Sequence, residues 1–197
     1  MYTREFFVTA YEGARPPWDV DHPQRDLVAA FDELSLSGSI VDLGCGTGEN
    51  VLELARRGLD AWGVDSTPAA IQVANEKRDA RGLRATFVHG DALDLDALGR
   101  TFDTVLDCGL FHVIAEQERL RYVQELPRVL QPGGRFLMLG FATNTRGRGP
   151  RGYSPEELRK YLADGWREEF IREARFVTRS EAGMGEIPAW VSLFVRT

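Results

Sequence analysis

The sequence predicts an α/β fold built on a mostly parallel sheet, with helices on both faces and an antiparallel closing edge. Three observations predict it. Short β-branched runs alternate with longer amphipathic stretches, a glycine cluster follows the first such run, and the chain ends in two strand-like segments with no helical period between them.

The first strand is expected at Ser39-Ile40-Val41-Asp42-Leu43, with a helix over 50–57, where Val51, Leu52, Leu54 and Ala55 recur at helical spacing. A second strand follows at Ala61-Trp62-Gly63-Val64-Asp65. Thr67-Pro68 then opens a helix over 69–80, because proline is pre-organised for the first helical position. The third strand is expected at Ala85-Thr86-Phe87-Val88 and the fourth at Thr104-Val105-Leu106-Asp107. A charged helix over 115–130 comes next, which Pro132-Gly133-Gly134 separates from a fifth strand over 135–139. Beyond it, 143–152 reads as a glycine- and arginine-rich loop, a lid in which Arg146, Arg148 and Arg151 are exposed. Ser154-Pro155-Glu156-Glu157 is a capping box opening a helix through Leu162. The last strands are expected at 170–178 and 189–195, joined through Gly183-Met184-Gly185. Residues 1–35 fall outside the alternation and are expected to cap the active site of a single domain whose core is 36–197.

Composition narrows the function. A length of 197 residues suits one domain able to bury a core without staples. No apolar run approaches the roughly 18 residues of a membrane span, so a soluble protein without a membrane partner is expected. The opening residues lack the marks of a secretory signal, which makes a cytoplasmic location the expectation. A net charge of −6 repels a phosphate backbone and argues against nucleic acid. Cys45 and Cys108 have no CxxC partner, so neither a disulfide framework nor a metal site is expected.

The sharpest signal is Asp42-Leu43-Gly44-Cys45-Gly46-Thr47-Gly48, where glycines at alternate positions let a ligand press against the backbone. Dinucleotide loops space their glycines G-x-G-x-x-G; here the spacing is G-x-G-x-G. Asp42, two residues before Gly44, suits a ligand with a cationic end better than a pyrophosphate. Asp65, closing the second strand, is placed to accept from ribose hydroxyls.

Together with Gly63-Val64-Asp65, Gly90-Asp91-Ala92, Phe102 to Asp107 and Leu130-Gln131-Pro132-Gly133-Gly134, this loop resembles the class I S-adenosylmethionine-dependent methyltransferases over nearly the whole chain. The resemblance implies a Rossmann-like fold with a mostly parallel seven-stranded sheet and an antiparallel C-terminal strand. It implies S-adenosyl-L-methionine as cofactor and S-adenosyl-L-homocysteine as product. Gly44, Gly46 and Gly48, with Cys45, would line the methionine and ribose parts, Asp65 and the adjacent Ser66 the ribose, Asp91 and Ala92 the adenine, and Cys108 the methionine end. Pro17-Trp18-Asp19 and His22-Pro23-Gln24 resemble the opening of the thiopurine, thiol and halide branch, in which Trp18 would close over the cofactor. Leu106 to His112, Gly147-Arg148-Gly149-Pro150, Asp164-Gly165-Trp166 and Pro188-Ala189-Trp190 resemble bacterial heterocyclic-toxin methyltransferases. The first likeness implies a sulfur acceptor, the second a hydroxyl or ring nitrogen.

Methyl transfer from a sulfonium needs alignment and exclusion of water more than strong acids. A hydroxyl acceptor gains from a base, for which His112 is the first candidate, His22 the second, and Asp107 a group to orient a histidine. Phe7, Tyr11, Phe111, Phe141 and Tyr153 are expected to wall the acceptor pocket. The function expected is methyl transfer to a small-molecule heteroatom by a monomer or homodimer. The alternative is a non-catalytic S-adenosylmethionine-binding regulatory module.

Overall fold

The computed structural model describes residues 3–13, 15–143, 149–179 and 185–197. Among them seven strands form one sheet, β1 (Ser39–Leu43), β2 (Asp60–Asp65), β3 (Ala85–His89), β4 (Phe102–Cys108), β5 (Leu130–Phe141), β6 (Trp166–Val177) and β7 (Glu186–Arg196). Their spatial order is β3-β2-β1-β4-β5-β7-β6. The first five strands run parallel, Val41 pairing with Trp62 on one side and Val105 on the other. The last strand inserts antiparallel between β5 and β6. Strand order reverses beside β1, so a crevice opens at the carboxyl ends of β1 and β4, where ligands of doubly wound sheets bind.

The helices are α1 (Arg4–Glu12), α2 (Arg25–Leu34), α3 (Glu49–Arg56), α4 (Pro68–Ala80), α5 (Glu116–Val129) and α6 (Pro155–Tyr161). Strand side chains alternate between the two faces, and each face buries its own cluster. Ile40, Leu106, Leu137 and Leu139 pack with Leu27 and Phe31 of α2 and with Val51 and Leu54 of α3. Their neighbours Val41, Val105, Phe136 and Met138 pack with Tyr122, Val123 and Leu126 of α5.

Two features depart from the sequence reading. The stretch before Ser35 contains two helices; α2 buries Leu27, Ala30 and Phe31 on one side. Gln24 ties the start of α2 to β6, its side-chain amide donating to the Val177 carbonyl at 2.9 Å and accepting the Val177 N–H at 2.8 Å. The second departure is Pro132-Gly133-Gly134, which lies within β5 rather than ahead of it. Pairing jumps there from Phe102 with Leu130 to Thr104 with Arg135, so the segment bows out of the ladder, where proline needs no partner for its missing N–H. The capping box at Ser154 and Glu157 forms reciprocally at the start of α6. Of the loop expected over 143–152, residues 144–148, with Arg146 and Arg148, lie outside the described residues, as do Gly183 and Met184. Arg151 pairs with Glu157.

Candidate active site

The chain reverses after β1 through Gly44, Gly46 and Gly48, at φ 72°, 54° and 85°, backbone that a side chain resists. Space enforces the same choice. A Cβ on Gly46 would lie 2.7 Å from the Tyr11 hydroxyl, and one on Gly48 would lie 2.6 Å from the Phe87 ring. The Gly44 and Cys45 amides donate to the Val64 carbonyl at 2.8 and 3.0 Å, pinning the loop to the end of β2. Asp65 completes the attachment, one carboxylate oxygen accepting the Gly46 N–H at 2.9 Å and the other the Thr67 N–H at 2.8 Å. Burial raises the Asp65 pKa, against those two hydrogen bonds.

The outer side of the loop is fastened twice. Glu49 receives Arg81 at 2.8 and 2.9 Å and Lys77 at 2.9 Å, both from the α4 end of the chain. The Thr47 hydroxyl donates to Asp19 at 2.9 Å, which joins the loop to the N-terminal segment. In that segment Trp18 donates its indole N–H to the Tyr11 hydroxyl at 2.9 Å and packs on Phe6 and Phe7.

Between the loop and this segment lies a cavity of about 440 Å³. That is within the size range of small-molecule sites, roughly 300–1,000 Å³. Its lining includes Gly44, Cys45, Gly46 and Gly48, Asp65, Ser66, Asp91 and Ala92, and Cys108. It also includes Phe7, Tyr11, Trp18, His22, His112 and Phe141. The sequence thus marked residues spread from Phe7 to Phe141 that the fold gathers at one place.

Four expected site residues lie elsewhere. Asp42 is fully buried beneath the cavity wall, and the group that reaches the wall from that side is Asn50, whose amide lies 3.4 Å from Asp42 Oδ2. Asp42 Oδ1 has no partner among the described residues, and burial lifts its pKa well above the carboxylate range. Asp107 is turned inward, accepting the amides of Leu110 at 2.9 Å and Phe111 at 3.1 Å and the Tyr122 hydroxyl at 2.8 Å. It therefore shapes the turn after β4 and orients no histidine. That turn drives Phe111 into the lower core against Tyr122, Tyr153 and Tyr161 while His112 stays at the cavity. Tyr153 is fully buried beside Gly140, so neither it nor Phe111 walls the pocket.

His112 is also altered in kind. Its Nδ1 accepts the Phe141 backbone N–H at 3.0 Å, and its ring stacks on that of Phe141 at 4.1 Å. An Nδ1 that accepts is unprotonated, so the neutral ring carries its hydrogen on Nε2. Burial, helped by Arg119, lowers its pKa to about 3, leaving it neutral at physiological pH. His22 is held the opposite way. Its Nδ1 lies 3.0 Å from the Pro23 carbonyl, which only accepts, so Nδ1 is the donor and in the neutral ring the lone pair falls to Nε2.

Sequence reasoning missed Gln24, Asn50, Leu110, Val113, Phe176 and Thr178, all of which line the cavity. Phe176 and Thr178 come from β6 and its end; β5 and β7 separate β6 from β4 in the sheet, and the Phe176 ring reaches across to Gly109 and His112 after β4.

A parallel sheet with a glycine loop after β1, an acid closing β2 and an apolar cavity at the switch point defines a nucleoside-binding enzyme of the Rossmann-like class. Residues 40–134 match a methyltransferase domain family. Over 189 residues, covering 90% of this chain and 83% of the relative, the chain is 31% identical to the 2-heptyl-1-hydroxyquinolin-4(1H)-one methyltransferase of Mycobacteroides abscessus. It superposes at a TM-score of 0.88 and 34% identity, covering 98% of this chain and 93% of the other, on a structure concerned with conversion of a disulfide bond into a thioacetal group during echinomycin biosynthesis. It shares its fold with magnesium protoporphyrin IX methyltransferase from Synechocystis, solved with bound S-adenosylmethionine, at a TM-score of 0.66, 24% identity, and coverage of 87% and 77%. The chain belongs to the class I S-adenosylmethionine-dependent methyltransferases: it is an enzyme whose cofactor is S-adenosylmethionine and whose product is S-adenosylhomocysteine. The lining fits that cofactor, since the glycine loop meets Asp65, Ser66, Asp91, Ala92 and Cys108 around a single cavity. No helix among the described residues is long and apolar enough to cross a membrane, and no cluster there has the makings of a metal site.

Proposed function

We propose that this enzyme methylates a heteroatom, a thiol, hydroxyl or ring nitrogen, of a small aromatic or heterocyclic compound. The observation that carries this reading is that one cavity is lined both by the glycine loop with Asp65, Asp91 and Cys108 and by the rings of Phe7, Tyr11, Trp18, Phe141 and Phe176. The Mycobacteroides abscessus relative is a hydroxyquinolone methyltransferase, which favours a heterocyclic hydroxyl.

In this reading Gly44, Cys45, Gly46 and Gly48 take the methionine and ribose, Asp65 and Ser66 the ribose hydroxyls, and Asp91 and Ala92 the adenine. Cys108 borders the methionine end; burial pushes its thiol pKa well up, so it stays protonated and no rival nucleophile. Bound cofactor supplies a methyl group on a positively charged sulfur. The chain contributes alignment and dryness. The described residues before Ser35 act as a cap in which Trp18 and Tyr11 hold one another over the glycine loop, excluding water from the transfer path. His22, with its Nε2 lone pair, is the cavity histidine suited to receive a proton from the acceptor.

The experiment is turnover with S-adenosylmethionine against thiols, phenols and hydroxylated or ring-nitrogen heterocycles, read as S-adenosylhomocysteine. Product with aromatic or heterocyclic acceptors is expected. Cofactor binding without product from any of them would point to the regulatory module instead.

A further inference from the structure

His112 lines the cavity yet, among the described residues, makes its one hydrogen bond at Nδ1, to the Phe141 amide of β5. That bond leaves the ring no choice of tautomer. The Phe141 ring covers one imidazole face at 4.1 Å, and Phe176 of β6 meets it edge-on at 5.9 Å, so the ring cannot turn over to present Nδ1 instead. Just after β4, Gly109 crowds the remaining side: a Cβ there would lie 3.3 Å from the imidazole Cε1.

Resting on the methyltransferase reading above, we propose that His112 is a fixed hydrogen-bond donor to the acceptor molecule through Nε2–H. The acceptor is accordingly a flat ring that carries, beside its reacting heteroatom, a second atom with a lone pair in the ring plane, such as a ring carbonyl oxygen. The residue selects the substrate and orients it; it takes no proton.

The charged and titratable groups around the imidazole agree with that assignment. Arg119 of α5 is a permanent cation whose field opposes a second positive charge on the ring. Glu118, also of α5, lines the cavity, and Cys108 of β4 is a protonated thiol. Among the described residues none of them forms a hydrogen bond or ion pair with His112 that would stabilise an imidazolium, and β5 offers it a donor rather than an acceptor.

The test has two arms. In the first, ¹⁵N–¹H spectra of the imidazole are recorded on the full chain from pH 5 to 8. A signal from His112 with hydrogen on Nε2 alone, unchanged across the range, is expected; a ring that gains a second proton or carries its hydrogen on Nδ1 overturns the proposal.

In the second arm, His112→Asn keeps an oxygen for the Phe141 amide and removes the distal donor. It is compared with wild type on a hydroxyquinolone, which has a ring carbonyl, and on a naphthol, which does not. Loss of a hydrogen bond to a polar substrate atom lowers kcat/KM for the hydroxyquinolone roughly ten- to hundredfold, mostly through KM, while naphthol changes less than about twofold. His112→Gln, whose amide reaches the Nε2 position, recovers part of the loss. Equal losses on both acceptors, with cofactor affinity retained, would reduce His112 to a packing residue and overturn the proposal. Should no acceptor at all give S-adenosylhomocysteine, the function reading fails, and the spectra alone decide the state of His112.

Discussion

Phe141 holds His112 twice, donating its backbone N–H to Nδ1 at 3.0 Å and stacking its ring on the imidazole at 4.1 Å. The last residue of β5 thereby sets both the tautomer and the plane of the histidine at the cavity. A sequence places a histidine after β4, but the partner that determines its chemistry arrives from a different strand.

The same burial makes His112 a source of acid sensitivity. Its pKa falls from an ordinary 6.5 to about 3 in the folded chain. Between those values the unfolded chain binds a proton that the folded chain refuses, so stability is full above pH 6.5 and declines as pH falls toward 3. Asp107 works in the opposite sense: its pKa is raised from 3.8 to about 6 by burial, against the Tyr122 hydrogen bond, so its contribution is present at low pH and lost as pH rises through 6. The histidine is therefore isolated by difference. Urea midpoints of wild type and His112→Asn, measured from pH 4 to 7.5, are expected to show the wild-type advantage shrinking toward the acid end.

Gly46 and Tyr11 form a second testable pair. Gly46→Ala places a methyl 2.7 Å from the Tyr11 hydroxyl at a φ of 54°. Cofactor affinity is expected to fall at least about tenfold, which corresponds to roughly 1.4 kcal/mol. Adding Tyr11→Phe removes the clash but not the backbone strain, so calorimetry on the double variant should recover part of the loss. Strict additivity would mean that the two residues do not meet.

Asp107 and Tyr122 separate fold from site. Tyr122→Phe leaves a buried carboxyl short of its 2.8 Å partner and is expected to cost about 1–3 kcal/mol in denaturant unfolding. Because Asp107 faces the core, KM for cofactor and acceptor should stay at wild-type values in the folded fraction.

Gln24 anchors the N-terminal segment. Gln24→Ala removes both amide bonds to Val177, and limited proteolysis should cut the segment before α2 faster while β1 to β5 stay protected. Equal protection in both proteins would mean that the segment is held by its aromatic and ionic contacts alone.

The sheet was legible because β1, β2 and β4 are short apolar runs each followed by a helical period, and the glycine loop announced the ligand end of β1. The first 35 residues were less legible. There α2 has a Gln24 that bonds across to β6 instead of capping, and no sequence pattern shows a side-chain amide standing in for a strand neighbour. At the site, Phe111 and His112 are adjacent in sequence but part company because the buried Asp107 gathers the amides of their turn. Asp42 was read as a partner for a cation on charge alone. Its complete burial, set by the alternation of β1 that points it beneath the loop, is a property of the packed sheet.

The central claim is tested most directly by mixing the full chain with S-adenosylmethionine and a hydroxylated heterocycle and following S-adenosylhomocysteine together with methylated acceptor. The account predicts both products in equal amounts, dependent on the acceptor and reduced by Gly46→Ala. Cofactor that binds yet never yields S-adenosylhomocysteine with thiol, phenol or heterocyclic acceptors would contradict it.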